Sequence, residues 1–294
     1  ETGTEEHTET EPEPQIPEGN AQGVETFVIF GVDSRTNEFE KGTRSDSMMI
    51  VMVNHDKGTV RVASIYRDCM VHIQGKGYEK LTHAHSYGGP NLALSTINEN
   101  FDLNAQHYVT VNFNTMRELV DLIGGVEIEI NEKEVPVMNS DRIKSPGTYL
   151  LNGEEALTFS RIRFIDNDYK RTERQREILF EIFQKAKGMS YREKLKVVDE
   201  MLDNINTNYD QEEILLLMYS LSKYDIEAMD AFPKLFYGGR VEGAWVEVPC
   251  TLVDMNASMH GFLYGSTSYS PSQKVKEYSD IMRQKVSGPN VDMR

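Results

Sequence analysis

The sequence predicts one α/β domain, with a central mixed β-sheet flanked by helices on both faces in an α-β-α sandwich. Strand-like and amphipathic helical runs intermix along the chain. Neither an internal repeat nor a linker-like stretch interrupts them after residue 24. The first run, Thr26-Phe-Val-Ile-Phe-Gly31, is apolar throughout, as in a strand covered on both faces.

The elements follow in order. Ser47 to Asn54 (SMMIVMVN) reads as a second buried strand, and Thr59 to Tyr66 (TVRVASIY) as a third that alternates. Asp56-Lys57-Gly58 between them is turn chemistry, which makes a hairpin. Pro90 suits a first helical position and predicts a helix through Leu92, Ala93, Ile97 and Phe101. His107 to Val111 reads as a strand. Thr115 to Ile123 is an amphipathic helix stopped by Gly124-Gly125. Val126 to Ile130 (VEIEI) alternates, a strand exposed on one face. After a polar loop, Asn152 caps a short helix through Glu155 and Leu157. From Thr172 a longer helix sets Gln175, Ile178, Leu179, Ile182, Phe183 and Ala186 at helical spacing. Two more helices are expected over 190–203 and 210–223. Short strand-like pieces fill 230–254, and a last helix starts near Pro271.

Composition narrows the function. A net charge of -16 and a pI near 4.9 exclude nucleic acid as the main partner, because a phosphate polymer needs a broad basic surface. No apolar run reaches the roughly 18–20 residues that would span a membrane. Residues 1–20 hold seven glutamates, three prolines and no Lys or Arg, the composition of a disordered stalk or equally of a frayed tail. The expected organisation is an acidic stalk over 1–23, a catalytic domain over 24–286 and a tail over 287–294. Cys69 and Cys250 would form one disulfide in an oxidising compartment or remain thiols in a reducing one.

Against that acidic background, residues 161–176 carry five arginines and a lysine against three acids. Clustered guanidinium groups repel one another, and their forked donors match phosphate oxygens in pairs. Asp33/Arg35, Arg44/Asp46 and Arg161/Arg163 are each spaced i, i+2, so on extended backbone both side chains of a pair point the same way. Asp33 and the Arg67-Asp68 pair each follow a strand, where open α/β sheets bind ligands. Arg171 and Arg174 stand near a helix N-terminus, which favours anions. Two aspartates do not bind phosphate, but they do bind a hard cation that bridges phosphate oxygens. Asp33 and Asp46 are therefore the candidate ligands of Mg2+, or of Mn2+ in its place. His83 and His85 lack further ligands at zinc spacing. No G-x-S-x-G and no Walker A sequence is present.

Several segments together resemble one family. They are Gly31-Val-Asp-Ser-Arg35, Arg44-Ser-Asp46, Ser64-Ile-Tyr-Arg-Asp68 and Lys80-Leu-Thr-His-Ala-His-Ser-Tyr-Gly-Gly89. Val120-Asp-Leu-Ile-Gly-Gly-Val126, Leu151-Asn-Gly-Glu-Glu-Ala-Leu157 and the arginine-rich segment complete the set. In this order, over residues 24–187, the chain resembles the LytR-CpsA-Psr proteins. That resemblance implies a phosphotransferase that moves a glycopolymer from a polyprenyl-pyrophosphate carrier onto peptidoglycan and releases polyprenyl phosphate. It implies Asp33 and Asp46 as the acids associated with Mg2+. Arg44, Arg67, Arg161, Arg163, Arg171 and Arg174 would surround the pyrophosphate, with Gln175 and Arg35 beside them. Asp33, Asp46, Arg67, Arg161 and Arg163 are the catalytic candidates. The resemblance also implies an extracellular domain held to the membrane by an N-terminal helix absent from this chain. Thr82-His-Ala-His85 departs from the family's more frequent Asn and Tyr. The rival readings are a binding module without turnover and a pyrophosphatase acting on the lipid-linked intermediate.

Overall fold

The computed structural model describes residues 23–34, 39, 42–241, 243–265, 269–286 and 291–293. The candidate Arg35 and the acidic segment 1–22 lie outside the described residues.

The chain opens with β1 (Val24–Val32), β2 (Ser45–Asn54) and β3 (Thr59–Ile65). The expected hairpin joins β2 to β3, closing at Asn54↔Thr59. A small hairpin, β4 (Met70–Ile73) and β5 (Gly77–Lys80), then leads into α1 (Leu81–Phe101). Next come β6 (His107–Val111), α2 (Phe113–Leu122) and a second hairpin of β7 (Val126–Ile130) and β8 (Gly147–Leu151). Helices α3 (Gly153–Ser160), α4 (Asp168–Gly188) and α5 (Tyr191–Met201) follow. Then come β9 (Asn206–Thr207), α6 (Gln211–Leu221) and β10 (Asp225–Phe232). The chain ends with β11 (Phe236–Val241), β12 (Ala244–Pro249), α7 (Leu252–Tyr264), α8 (Gln273–Val286) and β13 (Val291–Met293).

The central sheet is mixed, as expected, in the order β10-β3-β2-β1-β6-β9. Strands β6 and β10 run parallel to β1 and β3, and β2 runs antiparallel between them. The carboxyl ends of β1, β3, β6 and β10 and the start of β2 therefore share one end of the sheet. Alternation sends Val28, Phe30, Ile50 and Ile65 to one face, into a core completed by α1, α7 and α8. Phe27, Val51, Val60 and Val62 go to the other face, under α4, α5 and α6. A third core joins α2, α3, α4 and the β7–β8 hairpin; there VEIEI alternates buried and exposed as expected.

The structure differs from the sequence reading at several places. The helical segment containing Pro90 begins at Leu81, not at Pro90. Non-helical Gly88 and Gly89 (φ 69°) break it, and Pro90 opens the second part. The loop before Asn152 contains β8, β10 lies ahead of the 230–254 pieces, and α7 is a full helix with Thr251 as its cap. Helix α4 starts at Asp168, four residues before Thr172, because the Asn167 side chain accepts from the Lys170 N–H. Cys69 and Cys250 are both free thiols; Cys69 is fully buried, which pushes its thiol pKa up.

The Leu151-Asn-Gly-Glu-Glu-Ala-Leu157 segment has a local cause. The Asn152 side chain accepts from the Glu155 N–H while the Glu155 carboxylate accepts from the Asn152 N–H, a capping box. Gly153 lies against α2 so closely that a Cβ there would fall 2.1 Å from the Arg117 carbonyl oxygen. That neighbour is backbone and cannot swing aside. Gly153→Ala is expected to lose about 1–3 kcal/mol of stability by overpacking, measured by urea denaturation.

Candidate active site

The site is built at the shared end of the sheet. Gly31 pairs with Ser47 and Val32 with Ser45, so Asp46 is an extra residue in β2, a β-bulge. A bulge re-aims a side chain and bends its strand. Past it the pairing resumes, the Asp33 N–H donating to the Arg44 carbonyl at 3.1 Å. This brings Asp33, Arg44 and Asp46 to one corner, with the Asp33 and Arg44 side chains exposed.

Two arginines from distant segments converge on the bulge. Arg67, two residues beyond β3, donates Nη1 to Asp46 Oδ1 at 2.8 Å. Both side chains are about four-fifths buried, which strengthens their attraction. Arg171, on the first turn of α4 and 3% exposed, donates Nη2 to the Asp46 backbone carbonyl at 3.4 Å. Gln175, one turn further on, has its Oε1 buried with no hydrogen-bond partner among the described residues. The buried hydroxyls of Ser45, Ser64 and Thr82 share that condition. Ser45 opens β2, Ser64 stands next to the end of β3, and the Thr82 N–H donates to the Arg67 carbonyl at 3.0 Å. Native proteins rarely leave such groups without partners, and these four stand on elements that meet at this end of the sheet. Sequence reasoning missed the three hydroxyls, since Ser and Thr carry no charge signal.

Arg161 and Arg163 follow α3 directly and are exposed. Arg161 lies over the Phe113 ring, 4.4 Å from its centroid. Phe113 stands just beyond β6, so Arg161 borders the same end of the sheet. That is the end that carries Asp33, Arg44, Asp46, Arg67 and Arg171. Arg163 follows two residues on.

Comparison with known proteins shows the family. The model of the LytR_cpsA_psr family matches residues 1–247. The chain belongs to the LytR-CpsA-Psr family. It is 34% identical over 195 residues to TagT of Bacillus subtilis (strain 168), covering 63% of this chain and 60% of that protein. It is 34% identical over 199 residues to TagU of Enterococcus faecalis (strain ATCC 700802 / V583), covering 64% and 63%. Both relatives are named polyisoprenyl-teichoic acid–peptidoglycan teichoic acid transferases. The chain thus spans less than two thirds of either relative's length. Among solved structures, TagT bound to LIIa-WTA superposes with a TM-score of 0.67 at 25% identity, covering 91% of this chain and 92% of that one.

One residue of the LytR-CpsA-Psr set does not join the others. Arg174 is 5% exposed and points away from the bulge. Its Nε donates to Glu134 at 2.7 Å, its Nη1 to the Ile162 carbonyl at 3.1 Å, and its Nη2 to Asp166. The cleft it lines, about 490 Å³, carries Glu132, Glu134, Asp166, Glu173 and Glu177 together with Lys133 and Lys170. Burial and the neighbouring Glu173 and Glu134 push the Glu177 carboxyl above its ordinary range. Two carboxylates already occupy Arg174, so the structure gives it a role in the fold and does not bring it to the bulge with the other arginines.

The histidines of the departing segment are also accounted for. His83 Nδ1 pairs with Glu79 at 2.8 Å, and the fully buried His85 meets the Thr43 carbonyl through Nδ1 at 3.0 Å. Their partners differ, and among the described residues no group of three His, Cys, Asp or Glu is placed to hold a metal. His85 instead ties the strand-joining loop to α1.

Proposed function

We propose that this chain transfers a glycopolymer from a polyprenyl-pyrophosphate carrier onto peptidoglycan, releasing polyprenyl phosphate. The observation that carries the reading is the convergence of Arg67 and Arg171 on the Asp46 bulge, beside Asp33, Arg44 and Arg161. Guanidinium groups fixed in a half-buried corner are suited to the non-bridging oxygens of a diphosphate. Membership of the LytR-CpsA-Psr family, and the teichoic acid transferase names of TagT and TagU, support the same substrate class. On this reading the reaction runs outside the cytoplasmic membrane, at the cell wall. Among the described residues no helix is long and apolar enough to cross a membrane.

A wall-sugar hydroxyl attacks the phosphorus on the glycopolymer side and gives up its proton to water. The bond from that phosphorus to the bridging oxygen breaks, and polyprenyl phosphate departs with the electron pair. Arg67 and Arg171 meet charge as it develops, and the arginines following α3 close the far side. The lipid tail is assigned to the layer between the sheet and α4–α6, where Leu179, Phe183, Leu215 and Met218 are only partly buried against the core.

Asp33 and Asp46 are the two carboxylates at this corner that would hold Mg2+, a hard cation that takes oxygen ligands; Asp46 has one oxygen on Arg67 and its other open to this role. When bound, the ion neutralises charge on the diphosphate. Chelation with EDTA is expected to stop transfer and added Mg2+ to restore it, read as conjugate formed over time.

The test supplies a polyprenyl-pyrophosphate glycan, Mg2+ and peptidoglycan oligomers. Conjugate formation is the expected result. Release of phosphate monoesters alone would make the chain a hydrolase, and unchanged donor would make it a binding module.

A further inference from the structure

The ribbon of β11 and β12 carries a face that the chemistry above leaves unused. Strand alternation sets Phe236, Gly238 and Arg240 on one side of β11, across from Pro249, Glu247 and Trp245 of β12. The inner end of that face reaches the candidate active site. Phe236 lies 6.1 Å from Tyr66 and 5.4 Å from Tyr169 between ring centroids, and those two tyrosines meet at 4.7 Å. Tyr66 immediately precedes Arg67, and the Tyr169 hydroxyl donates to Glu247 at 3.0 Å.

The outer end of the face is Trp245. Its indole lies across Gly238, where a Cβ would stand 3.0 Å from Cζ2 and 3.3 Å from Cη2. One side of the ring therefore packs on bare backbone while the other is open, leaving the residue 42% exposed. The exposed Arg240 is its direct partner across the ladder. An open aromatic face with hydrogen-bonding side chains around it suits a sugar. The C–H side of a pyranose covers the ring, and its hydroxyls meet the polar groups.

Direction decides which sugar. The transfer reading, on which this inference rests, sends the departing polyprenyl phosphate toward α4–α6. In-line displacement brings the attacking oxygen from the side opposite the leaving oxygen. The ribbon lies away from the α4–α6 layer, since its face meets α4 at Tyr169, on the first turn and about 15 Å along the helix before Leu179. The geometry points to an acceptor subsite on the β11–β12 ribbon, where Trp245 stacks on a sugar of the peptidoglycan strand and Arg240 binds its polar groups. Phe236 and Arg240 are four residues apart, about 13 Å along the strand, so Trp245 reads a sugar beyond the one that reacts.

Trp245 is the chain's sole tryptophan, so intrinsic emission reports on this site alone. Titration with undecorated peptidoglycan glycan oligomers is expected to change that emission saturably. Trp245→Ala is expected to raise the acceptor KM about tenfold for long oligomers and little for the shortest, with kcat and donor KM unchanged. Trp245→Phe restores most of the loss. Unmoved emission together with an unchanged acceptor KM in Trp245→Ala would overturn the subsite. A raised donor KM would overturn it too, by giving the ribbon to the donor's glycan. Saturable emission without conjugate from any lipid-linked donor would instead defeat the transfer reading and leave the glycan platform standing.

Discussion

Arg67→Ala is expected to lower transfer by a hundred- to thousand-fold, the effect of about 3–4 kcal/mol in the transition state, while the melting temperature moves only a few degrees. Arg67 lies in no helix or strand, and its Nη1 is spent on Asp46 at the mouth of the site. Removing it deprives the diphosphate of a fixed cation and leaves Asp46 facing the substrate's own negative charge. Asp46→Ala is expected to be as damaging, because it frees Arg67 from its position and removes one of the two candidate cation ligands. The two losses should not add, since the residues act as one unit. Rates of conjugate formation for both single variants and the double variant, with thermal melts on each, check this. Near-normal transfer by either single variant would remove the pair from the chemistry.

Arg174→Ala is expected to have the reverse profile. Arg174 and Glu134 are a buried ion pair at 2.7 Å, with side chains 6% and 5% exposed. Removing the cation leaves Glu134 buried and without its countercharge, which costs about 3–5 kcal/mol. Urea denaturation should show that loss, while transfer per folded molecule falls at least tenfold less than in Arg67→Ala. The Arg174 bonds to Asp166 and to the Ile162 carbonyl shape the segment that presents Arg161 and Arg163, so a modest indirect effect on rate is expected. A loss of transfer equal to that of Arg67→Ala in fully folded protein would return Arg174 to the substrate.

These two arginines show where sequence stops being informative. Arg171 and Arg174 are three residues apart on one helix and carry the same charge, so spacing treats them alike. What separates them is Glu134, forty residues upstream, and the Asp46 carbonyl on another strand. Neither relation is local. Strands β1 to β3 were legible because apolar runs and a turn signal are local features, and so was the cap at Asn152. The β4–β5 hairpin and α7 were not. The hairpin strands have only four residues each, and α7 is apolar enough to hide its helical period. Its start was written in Thr251 and Asp254, a cap and a first-turn acid. The site's charged residues were readable as types at strand ends, whereas the hydroxyls of Ser45 and Thr82 became visible only through burial.

The bulge at Asp46 sets the sheet's regularity against its chemistry. Were β2 shorter by that single residue, Ser45 could follow Ser47 in unbroken register, and every apolar side chain from Met48 onward would keep its place. Such a chain would fold on an intact core and yet offer Arg67 no carboxylate. Loss of this one residue is thus felt by Arg67 rather than by the core, whereas a slip further along β2 would turn its buried side chains to the wrong face.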